Sequence, residues 1–145
     1  MYRDYGAQSC FDLAVERRAD GKVIGLLSLV RKEHEQGAIG YALGIDYRGY
    51  GYATEAVRGL LGYGFGRLGL HRIYADTHSD NPGSWKLMER LGMKREGCFR
   101  EAVFKDGNWV DVVTYGILAA EWRVRGSSAD QQPAGGIAER PKPRG

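Results

Sequence analysis

Apolar and polar residues alternate through Phe11, Leu13 and Val15, and Ala19-Asp20-Gly21-Lys22 then supplies an Asp-Gly turn ahead of an apolar run from Val23 to Val30. This pattern predicts a strand–turn–strand hairpin. A polar stretch, Lys32-Glu33-His34-Glu35-Gln36-Gly37, leads into a further strand over Ala38–Asp46. From Ala53 the period changes. Ala53, Ala56, Val57, Leu60, Leu61, Phe65 and Leu68 recur three or four apart, which marks one face of a helix. Gly59, Gly62, Gly64 and Gly66 interrupt it, each costing up to about 1 kcal/mol relative to Ala. Such a helix needs tertiary packing to hold it, and glycines would let it lie close on a sheet. A strand over Arg72–Thr77 follows. A second helix opens at Asn81, a capping side chain with Pro82 at the first helical position, and closes at Gly92. Two alternating strands around Lys105-Asp106-Gly107-Asn108 end the pattern as another hairpin. The order β-β-β-α-β-α-β-β embeds one parallel crossover among hairpins, so the fold class is α+β, or α/β with a mixed sheet.

Composition changes after Arg125. Residues 126–145 hold three of the four prolines, with Ile137 as their one large apolar side chain. They are expected to be a disordered tail, because they bury too little to offset their ordering entropy. That leaves one domain over residues 1–125. With 43% apolar residues the domain can build a core. A net charge of +3, with the basic residues forming no stripe, gives no reason to expect nucleic acid. No run of 18 apolar residues suggests a membrane span, and MYRDYGAQSC does not form a signal peptide. Cys10 and Cys98 lack CxxC spacing, so neither a disulfide nor a metal site is expected, and a reducing cytoplasm is the natural setting.

The chemistry gathers at Tyr47–Ala56, YRGYGYATEA, where two glycines and an Arg precede the first helix. Unpaired N–H groups at a helix N-terminus attract phosphate, and small residues at 49, 51 and 53 let it approach the backbone. No Gly-Lys-Ser/Thr is present, which excludes a P-loop. A dinucleotide loop would read Gly49-x-Gly51 with a third glycine, but Thr54 stands there, and one β-α-β unit occurs where two are usual. Arg48-Gly49-Tyr50-Gly51-Tyr52-Ala53 also matches [Q/R]xxGx[G/A], and in this it resembles the acetyl-CoA pyrophosphate loop of the GNAT N-acetyltransferase superfamily. GYALGIDYRGYGYATEA, NPGSWKLMERLGM and EGCFREAVFKDGNWVDVVTYGILAAEW extend the likeness to the ribosomal-protein (RimJ/RimL-like) branch, covering residues 22–122 in order.

The resemblance implies a twisted, mostly antiparallel sheet splayed between the strands at 38–46 and 72–77, with acetyl-CoA as cosubstrate in the splay. The amides of Gly49, Tyr50, Gly51, Tyr52, Ala53 and Thr54, with Arg48, would meet the pyrophosphate. Leu43, Gly44 and Ile45 would pair with the pantetheine arm, Asn81 would fix it, and Lys86 could reach a phosphate. Ser84, at the position of the family's NxxS serine, would protonate or hydrogen-bond the leaving thiolate. Some members of the branch place a carboxylate where this chain has Val103. Glu101, two residues earlier on the same expected strand face, is the substitute base, with Asp111, Glu33 and His34 as further candidates. Tyr41, Tyr47, Tyr50 and Tyr52 are expected to line the cleft, without a catalytic role.

The implied acceptor is a primary amine, either a protein N-terminus such as that of a ribosomal protein or a small amine (polyamine, amino acid or aminoglycoside). A peptide α-amine has a pKa near 8 and is about a tenth neutral at pH 7, whereas a lysine amine near 10.4 is far more fully protonated. A weak, water-relayed base therefore suffices for an α-amine. Family members usually begin with a strand and two helices that wall the acceptor site, whereas here the first hairpin starts about ten residues in. Three expectations stay open: a misassigned start, a homodimer partner that completes the site, or coenzyme binding with weak transfer.

Overall fold

A computed structural model of the chain describes residues 9–128 and 142–143. The elements are β1 (Cys10–Glu16), β2 (Val23–Lys32), β3 (Gln36–Leu43), a 3-10 turn (Ile45–Tyr47), α1 (Tyr52–Gly66), β4 (Arg72–His78), α2 (Pro82–Arg90), β5 (Lys94–Lys105), β6 (Asn108–Leu118), α3 (Ala119–Ser128) and β7 (Lys142–Pro143). Among the described residues the strands form one sheet in the order β5-β6-β4-β3-β2-β1-β7. Every neighbouring pair is antiparallel except β3 and β4. This is the expected mixed, mostly antiparallel sheet.

The parallel pair is short. Gln36, Gly37 and Ala38 face Arg72, Ile73 and Tyr74, and no register continues beyond them. β3 runs on to Leu43 and β4 to His78, so the strands part and a gap opens between their C-terminal halves. On its far side β4 stays paired with β6 from Arg72 to His78. The splay lies where the family resemblance implied it.

One face of the sheet carries the core. Ile73 opposes Ile117, Ala75 opposes Tyr115, Thr77 opposes Val113 and Leu29 opposes Ile39, all buried. Against them pack Val57, Leu60, Leu61 and Phe65 of α1 and Leu87 and Met88 of α2. The helix period predicted this stripe. Close approach through glycine holds at Gly64, where a Cβ would stand 2.7 Å from Ile73 Cδ1, whereas Gly62 and Gly66 face open space. Side chains on the opposite face, Ser28, Ala38, Tyr74, Asp76, His78 and Thr114 among them, are partly or fully exposed.

Boundaries differ in three places. The strand expected to reach Asp46 stops at Leu43, because the Gly44 N–H turns back to the Ile24 carbonyl and a 3-10 turn follows. β5 is not a regular strand. Phe99 opposes Val112 and Val103 opposes Val110, so residues 100–102 bulge outward. Finally, α3 continues past the expected boundary at Arg125 to Ser128, starting where Glu121 accepts the Leu118 N–H at 3.0 Å. Trp122 of α3 stacks on Phe65 at 6.0 Å. The expected disordered tail falls largely on residues 129–141 and 144–145, which lie outside the described residues, while Lys142 and Pro143 pair with Ala14 and Leu13.

Candidate active site

The loop leaving β3 has two glycines in the left-handed region, Gly49 at φ 89° and Gly51 at φ 82°. L residues adopt that backbone only at a cost, so the sequence needs Gly at both. Gly51 is the N-cap of α1 and contributes no capping side chain. The first helical bond runs from the Glu55 N–H to the Gly51 carbonyl at 3.0 Å, leaving the N–H groups of Tyr52, Ala53 and Thr54 without intrahelical partners. Among the described residues, nothing lies within 4 Å of a Cβ built at Gly49 or Gly51. An open turn of unpartnered amides at the positive end of a helix fits a phosphate group.

Side chains around this turn are exposed. Ile45 is 76% and Tyr50 71% accessible, and the Tyr50 and Tyr52 rings lie 5.8 Å apart. Arg48 reaches back to the Leu43 carbonyl, with Nε at 3.4 Å. Arg17, from the turn after β1, lies over the Tyr47 ring at 5.1 Å. A further cation comes from α2, since Arg90 Nη2 is 3.4 Å from Thr54 Oγ1. Arg90 lies 36 residues from Thr54 in sequence, and no local pattern marks it as part of this loop.

At the start of α2, Asn81 caps as expected, its Oδ1 accepting the Ser84 N–H at 3.4 Å. Gly92 (φ 91°) ends the helix, with the Met93 N–H bonded to the Met88 carbonyl and the Gly92 N–H to the Glu89 carbonyl, a Schellman pair. The helix is thus held at both ends, and its first turn stands beside the gap between β3 and β4. There Tyr41 of β3 reaches Ser84. The phenol oxygen is 2.8 Å from Ser84 Oγ and 3.1 Å from the Ser84 carbonyl. Burial pushes the Tyr41 phenol pKa up, against the opposing pull of the Ser84 hydrogen bond and the Arg90 charge. Tyr41 therefore keeps its proton at neutral pH. Sequence reasoning grouped Tyr41 with the cleft-lining aromatics, and its parity on β3 gave no sign of the serine contact.

The other expected residues stand apart. Lys86 is exposed and lies over the Trp85 ring at 5.7 Å. Glu101 sits in the β5 bulge at φ 48°, its N–H donating to Asp111 Oδ1 at 2.7 Å. The two-residue alternation that put it on the same face as Val103 does not hold there, because the bulge adds residues to β5 that β6 does not match. β6 also separates β5 from β4, and so from the gap. Asp111, the other hairpin candidate, holds the bulge in place. Near the gap, at the C-terminal end of β4, Asp76, Thr77, His78, Asn81 and Val112 line a depression of about 350 Å³.

Known proteins resemble this chain in sequence and fold. Residues 1–94 match the family described as "Acetyltransferase (GNAT) domain". The uncharacterized N-acetyltransferase YnaD of Bacillus subtilis (strain 168) is 40% identical over 84 residues, covering 58% of this chain and 49% of that protein. The [ribosomal protein uS5]-alanine N-acetyltransferase of Escherichia coli (strain K12) is 29% identical over 100 residues, 69% of this chain and 52% of that one. The chain spans about half the length of these curated relatives. Among solved structures, the spermidine/spermine N-acetyltransferase SpeG from Vibrio cholerae, in complex with manganese ions, superposes with a TM-score of 0.74 at 28% identity, covering 81% of this chain and 69% of that one. An acetyltransferase (GNAT family) from Bacillus anthracis gives 0.70 at 30% identity, covering 81% and 69%. With a match over residues 1–94 and a sheet that opens beside a glycine turn, the chain belongs to the GNAT acetyltransferase family.

Proposed function

We propose that the chain acts as an acetyl-CoA-dependent N-acetyltransferase on a primary amine, and that the amine is a protein N-terminus of the ribosomal-protein kind. The observation that carries this is the pairing of the open glycine turn at one end of the β3–β4 gap with the Tyr41–Ser84 contact beside it. Acetyl-CoA supplies the thioester and, on transfer, a thiolate leaving group. In this reading the amides from Gly49 to Thr54, with Arg48 and Arg90 nearby, receive the pyrophosphate. Residues Leu43 to Ile45 and Asn81 hold the pantetheine arm. Ser84 and Tyr41 share two hydroxyl protons, and either hydroxyl can turn one toward the departing sulfur. Glu101 and Lys86 keep lesser places, as a more distant base and a phosphate contact.

The ribosomal-protein acceptor draws support from the uS5-alanine N-acetyltransferase relative and from the higher neutral fraction of an α-amine. A second reading, a small amine acceptor, draws support from the spermidine/spermine N-acetyltransferase neighbour. The deciding experiment measures thermal shift with acetyl-CoA, CoA and NAD, then CoA release against N-terminal peptides and small amines. We expect stabilisation by acetyl-CoA and CoA, which follows if they bind the folded chain alone, and turnover on peptides. Stabilisation by NAD alone would overturn the family site. Coenzyme binding without turnover on any amine would leave a binding protein.

A further inference from the structure

The depression at the C-terminal end of β4 has a chemistry of its own. Asp76 and His78 alternate along β4 with the buried Ala75 and Thr77, which puts both on the face turned away from α1 and α2. Asn81 also lines the depression. It caps α2 through the Ser84 N–H, so the depression and the Tyr41–Ser84 contact meet at one helix start.

Each polar group already has one partner, and that partner fixes what remains. The Thr114 hydroxyl donates to Asp76 Oδ1 at 2.7 Å. Among the described residues no cation pairs with this carboxylate, which leaves Oδ2 as a free anionic acceptor. Lys105 Nζ lies 3.1 Å from Asp80 Oδ1 and 3.4 Å from His78 Nδ1. An ammonium group donates only, so Nδ1 accepts from it, which leaves the hydrogen on Nε2 as the ring's donor. The depression therefore offers an anionic acceptor and an N–H donor two residues apart on one strand, about 7 Å along it.

We propose that this depression seats the acceptor as an α-amino acyl group, with its ammonium on Asp76 and its adjacent carbonyl oxygen on the Nε2–H of His78. A peptide N-terminus carries both within one residue. A polyamine carries hydrogen-bond donors alone and leaves the His78 N–H without an acceptor, so the same groups select against it. The proposal rests on the acetyltransferase reading above and names the acceptor class it takes.

The test uses the full chain with CoA bound and titrates by calorimetry an alanyl peptide amide and a simple alkylamine without a carbonyl. The peptide is expected to bind roughly tenfold tighter or more, the range for one hydrogen bond left unmade. Asp76→Asn, which keeps the acceptor for Thr114, weakens both ligands by roughly tenfold or more, as removing a charged partner does. His78→Phe weakens the peptide to the alkylamine's level and leaves the alkylamine alone, and it tests the seat without touching the Thr114 bond. Equal wild-type affinities for the two ligands overturn the proposal, as does peptide binding indifferent to both substitutions or no peptide binding at all. CoA release from acetyl-CoA separates this from the parent reading. Turnover on peptides that ignores Asp76 sinks the seat and keeps the activity, whereas Asp76-dependent peptide binding without turnover does the reverse.

Discussion

The Tyr41 phenol and the Ser84 hydroxyl stand 2.8 Å apart, tying β3 to the first turn of α2 beside the gap in the sheet. The two hydroxyls form one unit, so removing either disturbs the same proton. Ser84→Ala and Tyr41→Phe should each lower kcat by roughly ten- to a thousandfold. The double variant should be little worse than the weaker single, as expected of groups that act together. Steady-state kinetics on the three variants check this, and an unchanged kcat in both singles would make the contact structural.

Gly51 tests the phosphate turn. At φ 82° a β-branched side chain is strained by about 1–2 kcal/mol, yet among the described residues no atom lies where its Cβ would be. Gly51→Val should therefore fold, with a lowered Tm, and lose the thermal shift given by acetyl-CoA. Wild-type coenzyme affinity in that variant would move the phosphate elsewhere.

Tyr115 sets an alkaline limit. It is 2% exposed and donates to Glu89 Oε2 at 2.7 Å, and burial, with that carboxylate, pushes its pKa from 10.0 up to about 12. The folded state thus holds the proton more tightly than the unfolded chain. This contribution to stability is whole below pH 10 and fades as pH rises through about 12. Compared with the wild type, Tyr115→Phe should be less stable near neutrality and lose less between those two values. Denaturant melts across that range measure the difference.

Glu101 separates backbone from chemistry. It occupies φ 48° in the β5 bulge, so Glu101→Gly should relieve strain and raise stability by about 1 kcal/mol. Glu101→Gln keeps the backbone cost and removes the charge. Its kcat should stay within about threefold of wild type, since β6 lies between β5 and the strand bordering the gap. A hundredfold loss, of the size a general base contributes, would make Glu101 the principal base.

What could be read from the sequence was what depends on near neighbours along the chain. Asn81 and Pro82 announced the start of α2, Gly92 its end, and the three- and four-residue spacing of Val57, Leu60 and Leu61 the buried stripe of α1. Gly49 and Gly51 marked the turn because its backbone excludes other residues. Contacts between distant segments left no such mark. Tyr41 meets Ser84 across 43 positions and Arg90 meets Thr54 across 36, and nothing local to any of the four encodes the meeting. The β5 bulge misled for a related reason: strand parity assumes an unbroken register, and the residues that break it, Arg100 to Ala102, carry no glycine or proline to betray it. α3 was missed because its capping carboxylate, Glu121, lies inside the helix rather than ahead of it.

The short pairing of β3 with β4 has one more consequence. Edge strands ordinarily sit at the rim of a sheet, where their bare backbone groups invite other chains to add on. Here residues 39–43 and 75–78 are also edges, but they are lodged inside the sheet, with β2 guarding one and β6 the other. A foreign polypeptide strand would have to bring side chains into a slot already flanked on the core side by α2. A slender, flexible molecule with an occasional amide can enter and bond where a protein strand cannot. Placing the unpaired backbone indoors keeps this stretch of it from another chain's strand and favours guests narrower than a strand.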